Sequence, residues 1–280
     1  MAIQTHSDKT VQLAKHLILV AVCLVWVAPL LWMLSTSLKA EKEIFTFPLH
    51  WIPWQATLDN FRTTFEKTHL LLWLKNSFVI MLGEVVVGGT IWAMTAYAFA
   101  KIRFKGRNVL FLIVLSTMMI PGQVTLIPTY LMLNSFGLIN TMTGVVLPSL
   151  SAAVGIFLLK QFFEGIPNEL SEAARIDGCG HFRIFWTIVL PLAKPAIFAL
   201  MIFTSLRSWN DYLWPLIVLQ DSDKMTLPVG LSSLQGTYGV DSYGVLMASS
   251  LLASLPILII LILFQDRIIK GVALSSGIKA

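Results

Sequence analysis

Three ionisable side chains lie inside long apolar stretches of this 280-residue sequence: Glu84, Arg207 and Asp211. A charge within a membrane is costly, and it usually faces a cavity or a partner. Arg207 and Asp211 are spaced i, i+4, so they can pair on one face of a helix. The two residues either neutralise each other and only pack, or line a path for a polar solute together with Asn210. Glu84 is open to the same pathway role, to protonation or to a bond with a neighbouring helix.

Motifs for catalysis are missing from the sequence. It contains no G-x-x-x-x-G-K-[ST] and no Gly-Lys dipeptide, so we expect no ATP site in this chain. H-E-x-x-H, G-x-S-x-G and Cys/His metal clusters are also absent, and the histidines, at positions 6, 16, 50, 69 and 181, lie outside the apolar stretches. The sequence therefore predicts neither a metal site nor a bound cofactor, and it disfavours a membrane enzyme.

The amino-acid composition indicates which kind of secondary structure contains these residues. Charged residues make up 12% of the chain and hydrophobic residues 56%, whereas a soluble domain has about 25% charged residues. A soluble chain of this size cannot bury so much apolar surface, which leaves an all-α, polytopic membrane protein. Stretches of about 20 apolar residues predict six spans, at about 17–38, 76–99, 108–130, 142–159, 195–218 and 244–264.

The distribution of Lys and Arg predicts the orientation. With the N-terminus inside, the cytoplasmic segments carry 13 of these residues in 75 positions, and the outer segments carry 6 in 73. The short loop 100–107 contributes four of the 13. Because Lys and Arg concentrate in cytoplasmic loops, we expect both termini to be cytoplasmic. This topology explains the net charge of +5, and no nucleic-acid partner is needed.

The inner loop 165–191 has the pattern of a helix, a glycine turn and a second helix. Pro167 suits a first helical position, and Gly178 suits the left-handed residue just past a helix end. A second helix is expected at about 181–188, before Pro191. Ala173 and Ala174 leave the first helix with a smooth patch that a partner can approach closely. The alternative interpretation is a solvated loop with ordinary helix propensity.

The same loop resembles the EAA motif of ABC importer permeases. Seven positions of that motif occur within twenty residues: Glu172, Ala173, Ala174, Gly178, Ile188, Leu190 and Pro191. Other segments resemble the carbohydrate importers with a maltose-type permease subunit. These segments are Met119–Pro121, Ile127–Tyr130, Gly137–Thr141 and Trp209–Pro215, with Phe264, Gln265, Arg267 and Gly271 in the tail.

The resemblance implies the transmembrane fold of a type I ABC importer. It implies one permease domain over residues 1–280, with a core at about 72–265, a coupling loop at 165–191 and a tail at 265–280. The implied partners are a second permease, forming a heterodimer, two ATPase subunits that use ATP and Mg, an extracytoplasmic solute-binding protein and membrane lipid. The implied location is the inner or plasma membrane of a bacterium or archaeon. The implied substrate is a sugar, with glycerol 3-phosphate or another polyol as the alternative and a secondary transporter as a distant one.

Roles for individual residues follow from the resemblance and the span assignment. The residues expected to couple to the ATPase are Glu172, Ala173, Ala174, Arg175, Asp177 and Gly178, and the expected tail contacts are Gln265, Arg267 and Gly271. The expected pathway residues are Glu84, Gln123, Tyr130, Asn134, Arg207, Trp209, Asn210 and Asp211. The aromatic members, with Trp214, either contact a sugar or belong to an interfacial belt. The loop expected to contact the binding protein contains Leu234, Gln235, Gly236, Thr237 and Tyr238.

Labelling of single-cysteine variants tests the topology. With a membrane-impermeant maleimide in intact cells, Lys105→Cys should stay unlabelled and Lys224→Cys should react, because the Lys and Arg excess places residue 105 inside. Labelling at 105 but not at 224 would contradict the assignment.

Overall fold

The computed structural model describes residues 7–234 and 242–275, with side chains for 11–234 and 242–265. The regular secondary structure of these residues is helical, which confirms the all-α prediction. The α-helices are α1 Ser7–Ser37, α2 Glu41–Ile44, α3 Asp59–Lys67, α4 Leu70–Leu82, α5 Gly89–Lys101, α6 Arg107–Thr117, α7 Gly122–Ser135, α8 Met142–Val146, α9 Ala153–Glu164, α10 Asn168–Ile176, α11 His181–Ile184, α12 Leu190–Leu192, α13 Lys194–Trp209, α14 Leu213–Val218, α15 Leu227–Ser233 and α16 Tyr243–Ser275. π-helical turns at Gly83–Gly88 and Phe185–Val189 and a 3₁₀ turn at Leu147–Ser151 join some of them.

Three helices of the described residues are long and apolar enough to cross a membrane: Val11–Ser37, Leu70–Lys101 and Tyr243–Gln265. They contain most of the first predicted span and all of the second and sixth. Three bent pairs also qualify when each pair is taken as one crossing: α6 with α7 (100°), Met142–Ser151 with α9 (44°), and His181–Leu192 with α13 (80°). Six spans therefore require that each bent pair crosses once.

The bends differ from the continuous spans predicted at 108–130 and 142–159, and proline explains the sharpest of them. After α6, the amides of Met118, Met119 and Ile120 donate to carbonyls three residues earlier. Pro121 then adopts extended backbone, with φ −59° and ψ 133°. Proline has no N–H to continue a helical ladder, so the helix ends there and α7 leaves in a new direction.

The stretch predicted as a span at 195–218 is not one continuous helix. Helix α13 ends at Trp209, and α14 begins only at Leu213. The Leu206 carbonyl accepts from the Asn210 backbone amide at 3.3 Å and from the Asn210 side-chain amide at 2.7 Å, so both amides of Asn210 close the last turn of α13.

One compact unit comprises the described parts of residues 1–70 and 233–255. Polar side chains fasten its segments together. The Asn60 amide donates to the carbonyls of Ser37 and Lys39 at 2.9 and 2.7 Å. The Glu41 carboxylate accepts from the Ser242 hydroxyl at 2.5 Å and from the Tyr243 amide at 3.1 Å, at the start of α16.

The second unit comprises the described parts of residues 71–232 and 256–280, and its centre is the packing of α5 on α9. A Cβ on Gly155 would lie 2.7 Å from the Trp92 ring, so only glycine permits this approach of the two helices. The Trp92 indole N–H donates to the Leu150 carbonyl at 2.9 Å. The apolar cluster around Trp92 extends to Phe163, Ala174 and Phe185. This continuity joins the membrane helices to the predicted coupling loop.

Candidate functional site

The loop 165–191 forms the predicted order of helix, glycine turn and helix. Helix α10 starts after Pro167, and Gly178 has φ +82°, the left-handed conformation expected of it. The Gly178 amide donates to Arg175 and the Cys179 amide to Ala174, both at 2.9 Å. These two bonds are the Schellman pattern that ends a helix. The second helical segment runs to Leu192, beyond the predicted end at 188, because a π turn carries the chain through Phe185–Val189.

The two alanines of the motif lie on different sides of α10, one buried and one exposed. This corrects the prediction of a shared Ala173–Ala174 docking patch. Ala174 is 7% exposed and packs in the apolar cluster of α5, α9 and α11. Ala173 is exposed. Successive residues on a helix are about 100° apart (3.6 per turn), so both alanines cannot point to one partner when one of them faces the core.

The surface of this loop carries large apolar side chains that the sequence analysis missed. Ile176 is 88% exposed, and Leu170, Phe182 and Trp186 are also exposed. We call Leu170, Ala173 and Ile176 the apolar face of α10. Their i, i+3, i+6 spacing in an otherwise polar helix is the signal that identifies them in sequence. Exposed apolar side chains clustered on a short helix indicate a surface that a partner covers.

Residues behind α10 hold it to the end of α5. The Lys101 ammonium donates to the Ile166 carbonyl and to the Asn168 side-chain oxygen, the latter at 2.8 Å. The Tyr97 hydroxyl lies 3.4 Å from the His181 ring. The Arg175 guanidinium lies 3.4 Å from the same ring. The loop is therefore tied to a membrane helix by both polar bonds and the apolar cluster.

The predicted Arg207–Asp211 helical pair is corrected by the structure. The Arg207 guanidinium donates to the Glu84 carboxylate, 123 residues away, and forms an ion pair with it. Asp211 lies beyond the end of α13, so the i, i+4 geometry does not apply. The Glu84 side chain is 3% exposed and the Arg207 side chain 53% exposed. A buried carboxylate with one cationic partner links the π turn after α4 to α13.

Two predicted pathway residues share a cavity. Gln123 and Asp211 line a space of about 270 Å³, together with Thr125, Pro148 and Trp214 among others. The other predicted residues lie elsewhere: Tyr130 is half-buried, Asn134 and Asn210 are exposed, and Trp209 is buried. The structure brings Gln123 and Asp211 together and Glu84 and Arg207 together. Arg207 also interacts electrostatically with Asp211, so the two pairs are neighbours.

A polar network at the predicted outer end was not anticipated. The Asn140 amide donates to the Asp221 carboxylate at 2.6 Å, while the backbone amides of Gln220 and Asp221 donate to the Asn140 oxygen at 3.1 and 3.2 Å. Lys224 adds an ion pair at 3.0 Å. Hydrogen bonds from Asn140 and Lys224 lower the pKa of Asp221 below its usual value. Asn140 has φ +60°, which asparagine tolerates better than most residues.

Several predicted contact residues have limited structural description. Leu234 is buried, and Gln235, Gly236, Thr237 and Tyr238 lie outside the described residues. Gln265 is exposed. Arg267 and Gly271 belong to the backbone of α16. Among the described residues, no group of three or more His, Cys, Asp or Glu side chains can hold a metal ion.

Solved structures define the class of fold. A bacterial ABC transporter involved in the import of the acidic polysaccharide alginate contains a similar chain, with a TM-score of 0.84 and 23% identity over 95% of this chain and 99% of that one. A bacterial alginate ABC transporter in complex with its alginate pentasaccharide-bound periplasmic protein gives a TM-score of 0.65 and 16% identity, over 93% and 96%. This chain therefore shares the fold of a chain found in bacterial ABC transporters.

The chain belongs to the family of binding-protein-dependent transport system inner membrane components, whose model matches residues 85–274. It is 40% identical over 256 residues to the arabinooligosaccharides transport system permease protein AraQ of Halalkalibacterium halodurans, covering 90% of this chain and 91% of that protein. AraQ of Bacillus subtilis is 37% identical over 271 residues, covering 96% of each. The sn-glycerol-3-phosphate transport system permease protein UgpE of Yersinia pestis is 33% identical over 268 residues, covering 91% and 94%.

A double-mutant cycle tests the ion pair between Glu84 and Arg207. Arg207→Ala should lower the Tm of the purified protein more than the Glu84→Gln/Arg207→Ala double variant does, because it leaves a buried carboxylate without a partner. We expect a coupling free energy of about 1–3 kcal/mol. Disrupting the solvent-exposed pair Arg62–Glu66 is the control and should change Tm little. Additive effects at 84 and 207 would contradict the pairing.

Proposed function

We propose that this chain is the permease subunit of an ATP-driven importer that receives a saccharide from a solute-binding protein and releases it into the cell. The observation that carries the proposal is the form of the loop 165–191. It has an exposed apolar face on α10, and Gly178 adopts φ +82° in the turn after that helix. Family membership supports the transport role. The energy source is then a separate pair of ATPase subunits, which bind the ATP and Mg.

The coupling assignment rests on how α10 is mounted. Its apolar face points outward, while Ala174 packs inward on the membrane helices. An ATPase groove that closes around Leu170, Ala173 and Ile176 therefore pushes on a helix that is already fastened to α5 through Lys101. Glu172, Arg175 and Asp177 are the charged residues at the edge of that contact, and Gly178 sets the angle of the following helix. The tail residues Gln265, Arg267 and Gly271 supply the second proposed contact with the ATPases.

The proposed topology has six spans with both termini in the cytoplasm and one permease domain over residues 1–280. Each bent helix pair then counts as one crossing, and the loop 100–107 lies beside α10 on the inner face. A second permease subunit completes the pathway. Localisation is to the inner or plasma membrane of a bacterial or archaeal cell. The proposed pathway contains the ion pair of Glu84 with Arg207, and the two cavity residues Gln123 and Asp211.

A saccharide is favoured as the substrate by the relatives. Two arabinooligosaccharide permease proteins match the chain at 40% and 37% identity. The alternative is glycerol 3-phosphate, since a permease protein for it is 33% identical. Carbohydrate pathways use aromatic and amide groups, and the cavity lined by Gln123 and Trp214 provides one of each.

The substrate class can be decided with the cognate solute-binding protein. We expect it to bind a saccharide from a panel of mono-, di- and oligosaccharides, and we expect proteoliposomes of the whole complex to accumulate the same sugar when supplied with ATP. Glycerol 3-phosphate should neither bind nor compete. Binding and uptake of glycerol 3-phosphate alone would favour the alternative, and uptake without ATP would favour a secondary transporter.

Substitution of Ile176 tests the coupling surface. Ile176→Glu places a charge at the centre of the apolar face and should weaken retention of the ATPase subunits by about 30-fold, the size of a hot-spot loss. Ile176→Leu keeps the apolar surface and serves as the matched control. Because the side chain is exposed, the Tm of the permease itself should stay unchanged. ATPase retention and transport at wild-type levels in Ile176→Glu would contradict the assignment.

Gly178→Asp should also uncouple the subunits, and for a separable reason. A side chain at φ +82° costs roughly 1 kcal/mol, and the new carboxylate lies at the C-terminal end of α10, where the helix dipole disfavours it. Gly180, whose φ is −73°, is the control position, and Gly180→Ala should be tolerated.

A further inference from the structure

A basic pocket lies between the loop 100–107 and helix α10. It has a volume of about 490 Å³. Its lining contains the cations Lys101, Arg103, Arg107 and Arg175, with the His181 ring beside them. We call this set the basic pocket. It belongs to neither the apolar face of α10 nor the predicted sugar pathway.

The protein neutralises the charges of the basic pocket only in part. Glu164, at its edge, is paired with Lys160 at 2.7 Å. The Lys101 ammonium donates to the Ile166 carbonyl and the Asn168 amide oxygen, and it also interacts electrostatically with the Glu164 and Glu169 carboxylates. Arg107 approaches the Ile102 carbonyl at 3.5 Å. With Glu172 as the remaining carboxylate in the lining, the pocket keeps a net positive charge.

A buried hydroxyl in the lining also lacks a partner. Ser171 is 7% exposed, and its Oγ forms no hydrogen bond with the described residues. A buried polar group left without a hydrogen bond is unfavourable, so a ligand oxygen at this position would stabilise it. The positive charge and the free hydroxyl together match an oxyanion such as a phosphate group.

The surroundings select the kind of phosphate. Arg103 and Arg107 also line an adjoining depression with Phe104, Gly106 and Val109, at the start of α6. The first turn of α6 has no side-chain cap, and helix N-termini favour anions. From there α6 presents a row of exposed apolar side chains, which are Val109, Leu110, Leu112 and Ile113. A basic pocket followed by an apolar helix matches an amphiphile with an anionic head and acyl chains.

We infer that the basic pocket binds the phosphate headgroup of an anionic phospholipid of the inner leaflet, whose acyl chains lie along α6. The inference rests on the proposed cytoplasmic position of the loop 100–107, and it does not depend on the substrate. Because Lys101 and Arg175 belong both to the pocket and to the mounting of α10, an occupied pocket would fix the coupling helix more firmly to the membrane helices.

Native mass spectrometry of the purified whole complex, titrated with phosphatidylglycerol, tests this inference. Arg103→Gln/Arg107→Gln should weaken binding of the tightest phosphatidylglycerol by about 25-fold, since each Arg near a lipid surface contributes about fivefold. Lys105→Gln is the matched control. Lys105 lies in the same loop and carries the same charge, but it lines neither depression. Its loss should weaken binding less than about twofold.

A second variant avoids a change of charge. Ser171→Ala removes the unpartnered hydroxyl and should weaken phosphatidylglycerol binding by about threefold without lowering the Tm. This result keeps the test decisive if the double arginine variant fails to assemble.

Four results would overturn the inference. Equal binding of phosphatidylcholine would mean that the basic pocket does not recognise the negative charge of the headgroup. Displacement by equimolar glycerol 1-phosphate would mean that the pocket takes a free phosphate compound rather than a lipid. Equal losses in Lys105→Gln and the double variant would indicate diffuse surface charge. Loss of ATPase subunits from the double variant with unchanged lipid binding would identify a protein-docking surface. Since neither ATP nor sugar is present, failure of the proposed transport function leaves each of these results readable.

Discussion

In a membrane, each backbone amide and carbonyl must find its partner within the protein, because lipid offers none. This constraint explains the helical architecture of the described residues, and it also explains where the helices break. At the end of α13, the Leu206 carbonyl accepts from both the backbone amide and the side-chain amide of Asn210. Between α6 and Pro121, the amides of Met118, Met119 and Ile120 each donate to the carbonyl three residues earlier. The bends are therefore satisfied locally, and this allows half-helices to meet at a common cavity lined by Gln123 and Asp211.

Helix α10 has one side packed on the membrane helices and one side exposed. The buried side of α10 gives Ala174 to the cluster that contains Trp92 and Phe163. On the outer side, Ile176 is exposed. Lys101 then joins the end of α5 to the start of α10. Because protein cores are close-packed and transmit displacement, a movement of the outer side is passed directly to α5 and α9.

Electrostatics adds two further links. Glu84 and Arg207 tie the π turn after α4 to α13, in a setting where either group alone would be costly. At the predicted outer end, Asn140 joins the start of α8 to residues 220–221 through three hydrogen bonds. These bonds hold together segments that are about 80–120 residues apart in sequence, and each depends on a left-handed or non-standard backbone turn, Asn140 in one case and Gly83–Gly88 in the other.

Sequence alone determined the all-α class, the location of the apolar stretches and the helix–Gly178–helix form of the loop. These features depend on local properties: hydropathy over about 20 residues, and the preference of glycine for positive φ. Sequence also selected the family through the motif around Glu172. It did not determine the breaks within three apolar stretches, because hydropathy averaged over a window does not show where a helix ends or changes direction.

Only the tertiary structure decided which charges pair and which side chains face out. Pairing of Arg207 with Asp211, four residues away, was one of two alternatives, but α13 ends at Trp209 and the Arg207 guanidinium pairs with Glu84. Ala174 was expected on the docking surface, but it is buried, whereas Ile176 is the exposed apolar side chain of α10. The basic pocket likewise combines residues 101–107 with 171–181. Such groupings depend on the packing of elements distant in sequence, which periodicity and local propensity do not encode.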